Sequence, residues 1–307
     1  MIEAPLIVDI KRDSREDGPG IRSVVFFKGC PLRCVFCHNP EGQEPGVEIA
    51  FTLASCIHCE GCFEACPEGA IDLSNDGRII RDKCRRCGRC ALACPSSALR
   101  QIGRRYTVET LTKLLLLDEP FYITSGGGVT LSGGECTLYP DYLEALLKEL
   151  KKNKINVAIE TSGHFNYDTF SRKILPYLDL IYYDIKLASP TLHKKHLGVT
   201  NELIVENLRR LLSESSIEVH PRVPLIPGIT VTKRNLQAIV DLLSDAGARD
   251  VTLLPYNPLG IGMAEKIGRE APPLPKSFMK PTKEKRIRTL FKGMVEKKGN
   301  QNSAGAH

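Results

Sequence analysis

Val24-Val25-Phe26-Phe27-Lys28-Gly29-Cys30-Pro31-Leu32-Arg33-Cys34-Val35-Phe36-Cys37-His38-Asn39 opens as a continuous apolar run and ends as a cysteine-rich loop. The apolar run, flanked by Arg22 and Lys28, reads as a strand buried on both faces that ends at Gly29. The loop after it spaces Cys30, Cys34 and Cys37 as C-x-x-x-C-x-x-C. Three thiolates hold three corners of a [4Fe–4S] cube and leave the fourth iron open to a substrate group. The competing reading is a zinc knuckle completed by His38.

Residues 51–100 hold eight more cysteines in two similar runs. Cys56-x-x-Cys59-x-x-Cys62-x-x-x-Cys66-Pro67 is repeated 28 residues later as Cys84-x-x-Cys87-x-x-Cys90-x-x-x-Cys94-Pro95. This is an internal duplication. Each half has the spacing of a bacterial ferredoxin, in which the fourth cysteine ligates the other cluster. The expected sets are therefore Cys56, Cys59, Cys62 and Cys94 on one cube, and Cys66, Cys84, Cys87 and Cys90 on the other. A zinc array would use paired Cys-x-x-Cys elements instead. The stretch has too few large apolar residues for an ordinary core, so metal centres are expected to hold it together. His58 reads as an exposed loop residue.

After Gly103 strand-like runs at 128–132, 156–160, 180–184, 217–223 and 251–254 alternate with helical patterns. The clearest helix is Tyr142-Leu143-x-x-Leu146-Leu147-x-x-Leu150, with Lys148, Lys151 and Lys152 off the stripe. With the N-terminal strand this gives an α/β fold: six parallel strands in a partial (β/α)6 barrel, with a small 2[4Fe–4S] ferredoxin-like insert. The expected parts are 1–50, insert 51–100, barrel remainder 101–295 with a terminal helix over 282–295, and a disordered tail 296–307.

Functional sites in such folds lie at the carboxyl ends of the strands, and the chemically suggestive residues fall there. Ser132-Gly133-Gly134-Glu135 follows the second strand and Glu160-Thr161-Ser162-Gly163 the third. Asp184-Ile185-Lys186 closes the fourth, Arg222 the fifth, and Pro255-Tyr256-Asn257 follows the sixth. A carboxylate and an ammonium two residues apart suit a zwitterionic ligand, although surface ion pairs look the same in sequence. Cys136 reads as a small buried apolar residue.

The segment Asp17-Gly18-Pro19-Gly20-Ile21-Arg22, with the cysteine loop and Phe36, Cys37, His38 and Asn39, resembles the activating enzymes of glycyl radical enzymes, in the radical S-adenosylmethionine (SAM) superfamily. The resemblance spans roughly 8–50 and 103–295. It implies SAM contacts at Phe36, His38, Ser132, Gly133, Gly134, Glu135, Asp184, Ile185, Lys186, Arg222 and Asn257. It implies reductive cleavage of SAM to a 5′-deoxyadenosyl radical, which takes a hydrogen from a glycine of a partner enzyme. No acid–base pair is required. Three departures stand out: Cys136 replaces a proline, Glu160 replaces an aspartate and so weakens any cation site near Asp184, and Asn257 replaces a histidine. The insert is expected to relay electrons from a flavodoxin or ferredoxin. It also points away from pyruvate formate-lyase, toward partners acting on glycerol, choline, aryl compounds or sulfonates. A radical SAM enzyme acting on a small molecule or another peptide, and a pure electron carrier, are the competing functions.

The composition agrees with this reading. A chain of 307 residues, 42% hydrophobic, has material for one large core and a smaller module. The net charge is +6, yet residues 271–307 alone hold nine Lys/Arg against two Asp/Glu. Without a basic stripe interleaved with aromatics, nucleic-acid binding is not expected. Absence of a secretory pattern and of a long apolar stretch points to a cytoplasmic protein with no membrane span, and a monomer is the default.

Overall fold

The computed structural model describes residues 3–304 apart from Arg249. The opening run forms β2 (Arg22–Phe27), in which Val24, Val25 and Phe27 are fully enclosed. Antiparallel β1 (Leu6–Ser14) precedes it, and β3 (Glu48–Phe51), β4 (Leu99–Ile102) and β5 (Arg104–Arg105) follow. The five later strands are β6 (Gly128–Gly133), β7 (Asn156–Thr161), β8 (Leu180–Asp184), β9 (Glu218–Pro224) and β10 (Thr252–Leu254). Each lies within a residue or so of its expected bounds.

One eight-stranded sheet runs in the order β10-β9-β8-β7-β6-β2-β1-β5. The six strands from β2 to β10 in this order are mutually parallel, as the alternating pattern required. Strands β1 and β5 add an antiparallel edge that the sequence reading did not include. In β1 the alternation Val8, Asp9, Ile10, Lys11 fades into charged residues, so a search for apolar runs passes over it.

The helix Pro140–Lys152 buries Tyr142, Leu143, Leu146, Leu147 and Leu150, the stripe legible in the sequence. Each such side chain contributes about 1.5–3 kcal/mol relative to exposure. The helices Glu202–Glu214 and Lys233–Asp245 bury equivalent faces on the same core. The terminal helix runs Pro281–Ala304, beyond the expected end at 295, so most of the stretch expected to be disordered is helical; 305–307 lie outside the described residues. Residues 281–304 contain no proline after the first position, and Lys, Arg and Glu in its first half favour the helix.

The insert leaves and rejoins the barrel through a two-stranded antiparallel stem, with Glu48 opposite Ile102 and Phe51 opposite Leu99. The duplication is visible in its backbone. Left-handed residues His58, Glu60 and Gly69 recur 28 residues later as Arg86, Gly88 and Ser97. The short helices Gly61–Glu64 and Arg89–Leu92 recur with the same offset.

Candidate active site

Parallel strands end on one edge, and register fixes who meets whom there. Phe27 lies beside Gly133, Thr161 beside Tyr183, and Asp184 beside Arg222. The cysteine loop leaves β2 at this edge and is tied down by backbone. Gly29 N donates to Gly42 O (2.7 Å), Cys30 N to Gln43 O (3.0 Å), and Arg33 N to Leu197 O (2.7 Å). The glycine loop after β6 is locked against it: Gly134 N donates to Phe27 O and Glu135 N to Gly29 O, both at 2.8 Å.

This approach explains Gly134. A Cβ there would stand 2.2 Å from Gly29 O and 2.5 Å from Gly42 O, both backbone atoms. Gly134→Ala is expected to push the two loops apart at a cost of about 1–3 kcal/mol. The checks are the melting temperature of the metal-free chain and the iron retained after reconstitution. An unchanged value of both would refute the packing argument.

Cys30, Cys34, Cys37, Phe36, His38, Ser132, Gly133, Gly134, Asp184, Lys186, Arg222 and Asn257 all line one cavity of about 450 Å³. All twelve of these positions expected from sequence therefore converge on a single cavity. Glu16 and Asp17, from the loop before β2, and Thr161 and Ser162 also line it and had been given no role. The quoted Asp17-Gly18 run carried the only signal for the first pair.

Two expected contacts are corrected. Glu135 does not face the cavity. Its carboxylate is fully buried and accepts from Thr137 Oγ1 (2.8 Å), Thr161 Oγ1 (2.9 Å), Ser162 N (2.9 Å) and Ser162 Oγ (2.6 Å). Protein donors therefore take up its acceptor sites, and its role is to position the 161–162 turn. The Ile185 side chain is buried in the main core, so only its backbone lies at the strand end.

The floor of the cavity is a ladder of charges across four strands. Arg222 Nη1 donates to Glu160 Oε1 (2.6 Å) and Nε to Asp184 Oδ1 (3.0 Å). Lys186 Nζ donates to Asp184 Oδ2 (3.1 Å), and Ser132 Oγ donates to Glu160. Arg222 also stacks over the Tyr182 ring, 4.8 Å from its centroid. Two carboxylates face two cations, so the floor is neutral. Burial opposes the Lys186 charge, but the Asp184 carboxylate holds its pKa above the ordinary value.

The donor set fits an iron–sulfur cube. Cys30 and Cys34 are partly buried and pack against an apolar cluster of Leu32, Phe36, Leu187, Leu197, Ile226 and Tyr256. Burial pushes the Cys30 thiol up to about 12 and Cys37 to about 11, so without metal these groups stay protonated. Among the described residues no three His, Cys, Asp or Glu side chains converge closely enough for one metal ion. Partial desolvation at the cavity lowers the His38 pKa, although the residue as a whole is exposed. Cys136 is fully buried in the core, and burial raises its thiol well above the usual range, as expected of an inert filler.

Behind the loop, fully buried Lys28 donates to Glu48 and to Glu41 O. Arg269 donates to the other oxygen of Glu48 (2.6 Å), to Pro40 O and to Gln43 Oε1 (3.0 Å). This clamp joins the first strand of the stem to the cysteine loop.

The structure thus gathers the three-cysteine loop and the charged residues of the strand ends around one cavity of an α/β fold. Residues 85–243 match the Radical SAM superfamily, 55–98 a 4Fe-4S dicluster domain and 16–56 a 4Fe-4S single cluster domain. The isethionate sulfite-lyase activating enzyme of Nitratidesulfovibrio vulgaris is 41% identical, covering 86% of this chain and 88% of its own. The pyruvate formate-lyase 2-activating enzyme of Escherichia coli is 35% identical over 83% and 78%. A radical SAM methyltransferase from Sphaerobacter thermophilus shares the fold, with a TM-score of 0.52 at 13% identity over 95% of this chain and 75% of its own. The chain belongs to the activating enzymes of glycyl radical enzymes, within the radical SAM superfamily. It is an oxidoreductase that cleaves SAM reductively and installs a glycyl radical on a partner enzyme.

Proposed function

We propose that the chain carries three [4Fe–4S] clusters and feeds electrons through the insert to the cluster held by Cys30, Cys34 and Cys37. The observation that carries this reading is the grouping of the insert cysteines. Cys56, Cys59 and Cys62 line one cavity with Cys94, from the other half of the duplication. The thiols that act electrostatically on Cys90 are Cys84, Cys66 and Cys87. These are the crossed sets that the ferredoxin spacing implies.

The second set faces the barrel. Arg81, close to Cys84 and Cys90, donates to Ile49 O (2.6 Å) and to Lys266 O (3.0 Å). The helix Leu259–Lys266 that it touches presses Gly260 against the backbone of Cys37 and His38. An electron entering at Cys56 would therefore leave from the Cys84 side. A flavodoxin or ferredoxin is the donor, and the chain works as a cytoplasmic monomer. Among the described residues no helix is long and apolar enough to cross a membrane.

When bound, the SAM cluster supplies an open iron and one electron at low potential. The protein's part is binding, orientation and exclusion of water. The neutral floor of Glu160, Asp184, Lys186 and Arg222 and the backbone of 132–134 hold the zwitterionic methionyl end. Asn257 spends its oxygen on Leu259 N (3.0 Å) and so keeps its amide N–H groups for the adenosyl part. Phe36 and His38 wall the same side. The hydrogen donor is a glycine of a partner that transforms a small polar molecule, as do the lyases and dehydratases served by the relatives.

Anaerobic reconstitution tests the reading. Iron near twelve per chain, falling by about four when Cys30, Cys34 and Cys37 are all Ala, is expected. About four iron atoms in the native chain would remove the two insert clusters and with them the relay.

A further inference from the structure

The two insert cluster sites are near copies in sequence and each has an arginine beside it, yet only one of these arginines turns a guanidinium nitrogen toward a cysteine sulfur. Arg78 sits in the single-copy segment joining the halves, at the end of a turn that its own backbone closes: Asp72 N donates to Arg78 O (2.8 Å) and Arg78 N to Asn75 O (2.9 Å). Its φ of 60° is a left-handed conformation disfavoured for arginine, and it turns the side chain inward. The residue is only 4% exposed. It lies on the wall of the cavity shared by Cys56, Cys59, Cys62 and Cys94.

The contacts of Arg78 are incomplete for a buried cation. Nη1 donates to Leu73 O (2.9 Å) and Nη2 approaches Cys56 Sγ (3.7 Å) and His58 Nδ1 (3.4 Å). The guanidinium lies 5.6 Å from the centroid of Phe51, an apolar floor. Nε has no hydrogen-bond partner. Asp72 feels the Arg78 charge, but its carboxylate accepts from Ser74 N (2.9 Å) and Ser74 Oγ (2.6 Å). A buried charge without a hydrogen-bonded counter-ion is costly, so such a group normally faces an anion. The contrast is Arg81 beside the other set, whose two terminal nitrogens are bound to carbonyl oxygens, not aimed at sulfur.

We infer that Arg78 is the counter-charge of the cluster on Cys56, Cys59, Cys62 and Cys94, and that it raises the reduction potential of this cluster. Resting on the three-cluster reading, this assigns the insert its internal asymmetry. A four-thiolate cube carries about −2 when oxidised and gains one more negative charge with the incoming electron. A fixed cation in a medium of low dielectric stabilises the reduced form more than the oxidised one. No proton need move.

The test is an EPR-monitored redox titration of the full chain in which Cys30, Cys34 and Cys37 are Ala, so that only insert clusters report. Arg78→Gln is expected to lower one of the two midpoints by at least a tenfold fall in the reduction equilibrium, about 59 mV for one electron, and to leave the other in place. Arg78→Lys should keep both midpoints. If Gln loses the cluster and Lys retains it at the unsubstituted potential, the charge requirement is also supported. Unmoved midpoints at full iron content in Arg78→Gln, or a shift in Lys as large as in Gln, would overturn it. So would loss of iron from both variants, which would make Arg78 a structural residue. Absence of any insert signal before Arg78 is changed would instead sink the three-cluster reading, with iron far below about eight per chain.

Discussion

Reconstituted Cys34→Ala protein will release no 5′-deoxyadenosine from SAM above background, while keeping the iron of the insert. Cys34 lies in the middle of the C-x-x-x-C-x-x-C loop and packs into the apolar shell of Leu32, Phe36 and Leu197. Removing its thiolate leaves two protein ligands for a cube that needs three to stay in place with one corner open. The rest of the loop keeps its backbone bonds to Gly42, Gln43 and Leu197, so the chain should still fold. Iron should fall by about four per chain. The measurements are product chromatography after anaerobic reduction and a colorimetric iron assay on the same sample. Product at the native level from a chain short of that iron would mean that another cluster cleaves SAM.

Arg222→Met is expected to destabilise the chain by about 3–5 kcal/mol and to abolish SAM binding. Arg222 is 11% exposed at its side chain and lies between Glu160 and Asp184. Methionine fills similar space but leaves two buried carboxylates facing one lysine. The effect has a pH signature. Burial raises the Asp184 carboxyl, yet Lys186 and Arg222 outweigh it and hold the pKa below its ordinary value. The ion-pair contribution is therefore complete above the ordinary carboxylate range and is lost as pH falls through the lowered pKa. The stability gap between native and Arg222→Met protein should be widest near neutral pH and narrow in acid. Denaturant unfolding of the metal-free chain at several pH values measures it, and a gap that widens in acid would contradict this account of the ladder.

The cysteine spacings, the six parallel strands and the gathering of the site at their ends were legible because each rests on a short local signal. Period, run length and ligand spacing survive without knowledge of the fold. The misread features depend on direction and register. Glu135 was a ligand contact on the resemblance alone, but its carboxylate turns inward, onto Thr161 and Ser162. Asp184 and Lys186 looked like a pair by themselves. Only the register of β8 against β9 brings Arg222 to Asp184, and Glu160 then completes a neutral set. Strand β1 was missed because its outer half is charged, and Arg78 because no motif marks it; burial alone does.

The paired stem of β3 and β4 also bears on ancestry. Glu48 and Ile102 face each other across one antiparallel ladder, so the chain departs and returns within a single strand spacing, about 5 Å. Ends this close can be rejoined by a short hairpin turn. Glu48, which receives Lys28 and Arg269, stands at the barrel end of this doorway and would remain after excision of everything between the strands. The electron module is thus a cassette: one insertion at this point supplies it and one deletion removes it, and the radical-generating parent keeps its own clamp either way.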